Sequence, residues 1–259
     1  MIVFAIGSHP DDIEFMMGGT LLLLRQRGCE VHYLNIANGS CGTQIHTKDE
    51  IIRIRREESI QAAGYVGAVY HESLVDDLDV FYTQDLIRRV AAEVREVQPD
   101  ILLTLSLEDY MEDHMNSARV AVTAGFVRTM RNYDTLPPTP PTMKDLAVYH
   151  ALPYGLTDMM RRPVIPEFYA DIGSVIAEKG EFLARHVSQK HWLDKSQGLD
   201  SYIITMRQMS GDVGKRSRRF EFAEGWRRHS HLGYAALDID PLRELLGPLC
   251  TPRKKSEAR

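Results

Sequence analysis

The chain has 259 residues, of which 44% are hydrophobic and 26% charged, and its net charge at pH 7 is −5. These values are typical of a globular protein with a sizeable core, and the length fits one α/β domain with an elaborated C-terminal part. The acidic balance gives no electrostatic footprint for nucleic acid. Three cysteines without a CxxC pair favour neither a disulfide framework nor a thiolate metal site. The sequence contains no evident signal peptide or membrane span, so we expect a cytoplasmic protein.

Strand-like and helix-like segments alternate through the first 152 residues. Short apolar runs predict strands at 1–7, 31–37, 69–74, 101–105 and 146–151. Helical spacing predicts helices at 14–27, 49–67 and 83–97, and a further helix after Asn116 that runs to about Arg131. This alternation predicts a Rossmann-like, three-layer αβα fold with a mostly parallel sheet. With right-handed crossovers, the five strands take the order 3-2-1-4-5.

The remainder of the chain follows a different pattern. A helix is predicted at 172–189, and residues 194–230 resemble a cap or extension of the core. We therefore expect a single domain over 1–259, with a Rossmann-like core at 1–152 and a C-terminal extension at 153–259.

The first predicted strand runs directly into a cluster of ionisable residues. Residues 7–14 read Gly-Ser-His-Pro-Asp-Asp-Ile-Glu, with one imidazole and three carboxylates in the place where such a sheet presents its ligands. A dinucleotide site would need glycines and free helix N–H groups, whereas carboxylates repel pyrophosphate, and no GxGxxG is present. The cluster therefore favours a cation.

A second cluster follows the fourth strand and ends in Asp113-His114. Strands one and four are neighbours in the predicted order, and their loops form a crevice where the connections diverge. We therefore expect residues 9–12 to meet His114 there. Two histidines and one carboxylate with an open position make a common catalytic zinc site, although a non-haem iron site uses the same ligand types. The spare carboxylate could act as a general base.

Several ordered motifs resemble the zinc-dependent deacetylases of the PIG-L/LmbE family. These are the HPDDIE stretch at 9–14, Met-Gly-Gly-Thr at 17–20 and the distant Asp113-His114. Further matches are the R..E...A pattern from Arg55 to Ala62, the H.SQ segment at 186–189 and the aromatic-Ala-Glu motif at 222–226. The family includes enzymes that act on N-acetylglucosaminyl phosphatidylinositol and on the glucosaminyl precursors of mycothiol and bacillithiol.

The resemblance implies a site and a reaction. It makes His9, Asp12 and His114 the metal ligands and Asp11 the base that activates water. The expected cofactor is Zn²⁺, with another divalent ion such as Fe²⁺ as the alternative. The expected substrate is a small N-acetylated sugar conjugate, and the expected assembly is a homo-oligomer.

The second motif departs from the family pattern at one position. Many members have HxDH there, with a first histidine thought to act as an acid or oxyanion partner, whereas this chain has Met111. The residue that acts as the general acid is therefore left open, with Asp11, Tyr110 and a C-terminal histidine as the candidates. We expect Asp113 to bond the imidazole of a metal ligand and thereby fix its tautomer.

Substrate contacts are also predicted, at Arg55, Asp77 and Tyr110. Arg55 matches a family position that faces the sugar, and Asp77 has the carboxylate oxygens that accept sugar hydroxyls. Two other functions stay open: a metal-dependent hydrolase of another bond, such as a different amide, an ester or a phosphoester, and a catalytically impaired sugar-binding homologue. Met111 favours the latter, while the retained base Asp11 opposes it.

Overall fold

The computed structural model describes residues 1–189 and 201–253. Within these ranges, eight strands form one mixed sheet, and helices cover it. The strands are β1 (Ile2–Gly7), β2 (Glu30–Asn35), β3 (Val69–His71), β4 (Ile101–Thr104), β5 (Ala147–Ala151), β6 (Phe168–Asp171), β7 (Ala223–Arg228) and β8 (Cys250–Pro252). The helices are α1 (Asp12–Gln26), α2 (Lys48–Val66), α3 (Gln84–Val97), α4 (Glu112–Val127), α5 (Ile176–Leu183), α6 (Ser201–Ser217) and α7 (Pro241–Leu246).

The sheet order is β3-β2-β1-β4-β5-β7-β6-β8. The first five strands are parallel and follow the predicted order 3-2-1-4-5, which confirms the Rossmann-like architecture. The sheet is longer than predicted, because β7, β6 and β8 continue it beyond β5 as antiparallel strands. Three strands of the predicted C-terminal extension therefore belong to the same sheet as the core.

Successive residues of β1 face opposite layers of the molecule. Val3 and Ala5 pack in a core with α1 and α5, while Phe4 and Ile6 pack in a second core with α3 and α4. Since side chains alternate along a strand, a run of apolar residues predicts burial on both faces, as in parallel sheets covered by helices. β1 lies between β2 and β4, so its C-terminal end lies in the interior of the sheet and not at an edge.

One buried carboxylate joins the C-terminal part of the chain to α1. Glu224 in β7 accepts the backbone N–H groups of Gly19 and Thr20, each at 2.8 Å, and pairs with Lys179 of α5 at 2.7 Å. Trp226 donates its indole N–H to the Thr20 hydroxyl at 3.0 Å. A Cβ at Gly19 would lie 2.7 Å from a side-chain carbon of Ile172, so a larger residue would clash there. The motifs at 17–20 and 222–226 thus serve packing between the two halves.

The main difference from the predicted elements is the start of α4. The helix begins at Glu112, not after Asn116, so His114 lies in its first turn. Glu112 and Asp113 carry negative charge at this helix N-terminus, where the macrodipole favours it. The acidic segment after β4 therefore ends in the first turn of a helix. Strand β3 is also shorter than predicted, ending at His71.

The predicted helix at 172–189 is only partly helical. A short 3-10 turn at Gly173–Val175 leads into α5, which ends at Leu183. The first residues of the predicted cap, 194–200, lie outside the described residues. No helix among the described residues has the length and apolar character needed to cross a membrane.

Candidate metal centre

Three side chains from two segments of the chain converge at the C-terminal ends of β1 and β4. His9 lies in the β1–α1 connection, Asp12 is the first residue of α1, and His114 lies in the first turn of α4. Nε2 of His114 lies 3.3 Å from Oδ1 of Asp12, and Nδ1 of His9 lies 3.5 Å from Oδ2 of Asp12. One ligand atom from each residue falls within 4.8 Å of the others, and all three residues are buried. This arrangement brings the predicted ligands together and could hold a metal ion.

Each imidazole of the cluster contacts a further carboxylate through the ring nitrogen that does not face Asp12. Nε2 of His9 lies 3.0 Å from Asp113, and Nδ1 of His114 lies 3.1 Å from Asp109. Histidines that bind metals commonly use their second nitrogen in this way, because the bond fixes the tautomer and the ring orientation. The remaining nitrogen of each ring, which is Nδ1 of His9 and Nε2 of His114, faces Asp12.

The sequence analysis assigned a role to Asp113 but none to Asp109. Asp113 lies next to His114 in sequence yet bonds His9, and it also accepts the backbone N–H of Leu78 at 2.7 Å. Asp109 is 1% exposed. The sequence feature that could have indicated Asp109 is its position five residues before His114, in the loop that leads into α4.

Burial, hydrogen bonds and neighbouring charges shift the pKa of all three residues in the cluster. Burial lowers the pKa of His9, but hydrogen bonds to Asp113 and Asp12 outweigh that effect and raise the pKa to about 9. Burial would also lower the pKa of His114, but Asp12 and Asp109 hold this pKa well above its usual value. Burial opposes ionisation of Asp12, yet the two imidazoles hold the pKa of Asp12 well below its usual range. The carboxylates of this site therefore stabilise positive charge.

Asp11 lies beside the cluster in an unusual backbone conformation. Its φ is 112°, in the region that favours glycine, and its side chain makes no capping bond to α1. The carboxylate accepts a hydrogen bond from the hydroxyl of Tyr202 at 2.6 Å, and the guanidinium of Arg55 lies 3.5 Å away. Burial raises the pKa of Asp11, while the charge of Arg55 opposes this rise. Strain of this kind costs on the order of 1–3 kcal/mol and is concentrated at functional sites.

The cluster lies in a cavity of about 370 Å³ with two different walls. One wall is aromatic: the ring of Phe15 lies 5.3 Å from that of Tyr154 and 5.8 Å from that of Tyr202, and Tyr110 continues the row at 5.9 Å from Tyr154. The polar lining includes Arg55, Asp77, Gln189 and the Cys41–Gly42 loop. A ligand with both apolar and polar surface matches this cavity.

The three predicted substrate residues all line this cavity, but their side chains differ in availability. Tyr110 is 55% exposed, and its ring meets that of His114 edge-on at 5.6 Å. Asp77 uses its two oxygens to accept the backbone N–H groups of Gly39 and Cys41, at 2.7 and 2.9 Å. Asp77 therefore shapes the loop, and its binding of a substrate hydroxyl stays a prediction.

Arg55 is 2% exposed and lies beneath the loop at 39–42. It donates to the carbonyl of Pro10, and a Cβ at Gly39 or Gly42 would overlap its side chain. Its Nε has no hydrogen-bond partner among the described residues. Arg55 thus packs against the turn that carries Asp11, and direct contact with a sugar stays a prediction.

The H.SQ segment anchors the polar wall. His186 is fully buried, with Nε2 3.0 Å from Glu14, and Ser188 bonds Glu58 through both its N–H and its hydroxyl at 2.7 Å. Gln189 reaches the cavity. These contacts tie the segment to α1 and to the R..E...A helix, α2.

Met111 occupies the N-cap position of α4 and lines the cavity. Its backbone N–H donates to Asp109 at 3.1 Å, and its thioether carries no proton to give. The first histidine of the HxDH motif therefore has no equivalent at this position.

Comparison with known proteins supports this description of the fold. A family model described as PIG-L, GlcNAc-PI de-N-acetylase, matches residues 4–125. The chain is 25% identical over 237 residues to 4-oxalmesaconate hydratase of Pseudomonas putida, covering 85% of this chain and 86% of that protein. It is 32% identical over 107 residues to diacetylchitobiose deacetylase of Thermococcus kodakarensis, covering 39% of each chain.

A solved structure gives the same fold. The 4-carboxy-2-hydroxymuconate hydratase GalB from Pseudomonas putida superposes with a TM-score of 0.74 at 20% identity, covering 92% of this chain and 98% of that one. The chain is therefore similar in sequence to both deacetylases and hydratases. The PIG-L resemblance drawn from the motifs is thereby confirmed, with the direct match over residues 4–125. The bacillithiol and mycothiol subgroup stays a prediction.

Proposed function

We propose that this protein is a metal-dependent hydrolase that removes the acetyl group from an N-acetylglucosamine-type substrate. The observation that carries the proposal is the buried His9–Asp12–His114 cluster with a further carboxylate, that of Asp11, beside it in one cavity. Three protein ligands with an open position are the arrangement of catalytic zinc sites, and iron or another divalent ion suits the same donors. On this proposal, all 259 residues form one deacetylase domain, because Gln189 and Tyr202 of the C-terminal part line the same cavity.

The residues present fit a divalent ion. The donor set is two imidazole nitrogens and one carboxylate, and both imidazoles are oriented by a carboxylate on their other nitrogen. When bound, such an ion would lower the pKa of a coordinated water and polarise an amide carbonyl. His9, Asp12 and His114 would hold it at the floor of the cavity.

Asp11 is the group that we assign to proton transfer. A general base must lie within hydrogen-bond reach of the water that it activates, and Asp11 adjoins a ligand in the same turn. Its carboxylate takes a proton from water as the water attacks the acetyl carbonyl. The same group then returns the proton to the departing amine, since Met111 carries no proton to donate.

The two walls of the cavity suit a pyranose ring. Sugars present C–H groups on one face, which pack on aromatic rings such as Tyr154, and hydroxyls at their edges, which bond polar groups such as Gln189. Binding on rigid side chains orients the substrate towards the reacting groups, which is a large part of the rate enhancement of enzymes.

A hydratase is the second candidate, because the more extensive of the two sequence matches is to a hydratase, at 25% identity over 85% of this chain. The substrates in the names of the matched hydratases, 4-oxalmesaconate and 4-carboxy-2-hydroxymuconate, are carboxylates. Among the described lining residues the only Arg or Lys is Arg55, which already lies beside Asp11. This charge balance favours a neutral sugar over a polyanion.

Product analysis separates the two reactions. The metal-loaded protein is incubated with a panel of N-acetylated glucosaminides and, in parallel, with unsaturated di- and tricarboxylates. Hydrolysis releases acetate and a free amine in equal amounts, whereas hydration adds the mass of water without releasing a fragment. Acetate release from a glucosaminide supports the proposal, and hydration of a carboxylate without any acetate release would overturn it.

A further inference from the structure

Tyr202 brings the C-terminal part of the chain into contact with Asp11. It lies in the first turn of α6, far outside the residues 4–125 that match the PIG-L family model. Its hydroxyl donates a hydrogen bond of 2.6 Å to Oδ2 of Asp11, and the residue is 5% exposed. The contact joins two residues 191 positions apart.

Asp11 needs support from outside its own turn. At φ 112° its backbone is strained, and its side chain makes no capping bond to α1 that would fix the carboxylate. A strained residue keeps its conformation only when its surroundings determine it. Tyr202 at 2.6 Å and Arg55 at 3.5 Å are both placed on Oδ2. The second oxygen, Oδ1, is the one left to accept a proton.

We propose that Tyr202 is a positioning residue for Asp11, holding Oδ2 so that Oδ1 faces the water that attacks the substrate. The inference rests on the proposed hydrolytic function. It places an essential part of the site in the C-terminal extension, beyond the family core.

The surroundings of Tyr202 favour a hydroxyl that stays in place and donates its proton to the hydrogen bond with Asp11. Its ring packs at 5.8 Å from Phe15 in the aromatic wall, and this contact restricts where the hydroxyl can lie. Burial raises the pKa of Tyr202 well above its usual value, and the negative charge of Asp11 raises it further. The hydroxyl therefore stays protonated and donates to the carboxylate.

The direct test is Tyr202→Phe, which keeps the ring and removes the hydroxyl. We expect kcat for acetate release to fall about 10- to 100-fold, the range over which small misplacements of reacting groups act. KM, metal content and Tm should stay close to those of the wild type. The control is Tyr234→Phe, because Tyr234 is also 5% exposed and donates one hydrogen bond, at 2.9 Å, to the carbonyl of Val122 outside the cavity. Tyr234→Phe should leave kcat unchanged.

Crystal structures of the wild type and of Tyr202→Phe supply a readout that does not depend on turnover. The carboxylate of Asp11 should occupy one position in the wild type and be displaced or multiply placed in the variant. An unchanged Asp11, or an unchanged kcat at full metal content, overturns the inference. A kcat loss explained by lost metal or lowered Tm also overturns it, since the role would then be structural. If the wild type releases no acetate from any probe, the proposed function fails, and the crystal structures still decide the role of Tyr202.

Discussion

Asp109 lies 3.1 Å from Nδ1 of His114 and also accepts the backbone N–H of Met111 at 3.1 Å. The second contact fixes the carboxylate relative to the start of α4, so the first contact fixes the imidazole relative to the helix. Nε2 of His114 is thereby left to face Asp12, at 3.3 Å. The orientation of one metal ligand thus depends on a residue that is not itself a ligand.

Replacing this carboxylate should weaken metal binding while leaving the three ligands in place. For Asp109→Asn we expect metal affinity to fall about 10- to 100-fold, the usual effect of losing a carboxylate behind a ligand histidine. Competition with a chromophoric chelator measures the affinity. Asp212→Asn is the control, because Asp212 lies on the surface of α6 in an ion pair with Lys215. Equal affinity of Asp109→Asn and wild type would show that Asp109 does not support the ligand.

Metal uptake should release protons at neutral pH. The pKa of His9 is raised to about 9 and that of His114 well above its usual value, which favours protonated imidazoles at pH 7. A ligand imidazole must be neutral, so metal binding displaces these protons. Raising the pH from 7 towards 9 should therefore strengthen the apparent affinity.

Titration calorimetry of metal into metal-free protein, in two buffers of different ionisation enthalpy, counts the released protons. We expect at least one proton per ion at pH 7 and fewer above pH 9. Uptake without proton release at pH 7 would contradict the raised pKa of these imidazoles.

The loop over Arg55 should not tolerate a side chain at Gly39. Its φ is +80°, and an added Cβ would lie 2.4 Å from Cδ of Arg55. For Gly39→Ala we expect a loss of about 1–3 kcal/mol in the free energy of unfolding. Activity should also fall, because Arg55 lies 3.5 Å from Asp11.

Gly64→Ala is the matched control. Gly64 lies within α2, and an added Cβ would meet nothing within 4 Å. Alanine has a higher helix propensity than glycine, so this change should stabilise the protein by about 0.5–1 kcal/mol. Chemical denaturation of both variants measures the two changes, and equal effects would contradict the assigned role of the loop.

Much of the core and the ligand cluster could be predicted because both depend on local patterns. Alternating apolar strands and helices determine the layers, and the order 3-2-1-4-5 places the ends of β1 and β4 side by side. Two short motifs that follow those strands must then meet, as His9 and His114 do. The antiparallel strands β6–β8 carry no such repeating pattern, and for that reason the sheet was predicted too short.

The contacts that were missed depend on long-range packing. Tyr202 reaches Asp11 across 191 residues, and no spacing in the sequence connects the two. The backbone hydrogen bonds from Gly39 and Cys41 to Asp77 were also not predicted, and contact of Asp77 with a substrate stays a prediction. The pairing of Asp113 with His9, rather than with its neighbour His114, follows from the helical first turn of α4.

The central claim is tested most directly by acetate release at known metal content, compared between wild type, Asp11→Asn and His114→Ala. We predict one ion per wild-type chain, with turnover that a chelator abolishes and added Zn²⁺ or Fe²⁺ restores. Asp11→Asn should keep the ion and lose about 100-fold or more in kcat, the scale of general base catalysis. His114→Ala should lose both the ion and turnover. Full acetate release by the metal-free protein, or by metal-loaded Asp11→Asn, would contradict the account.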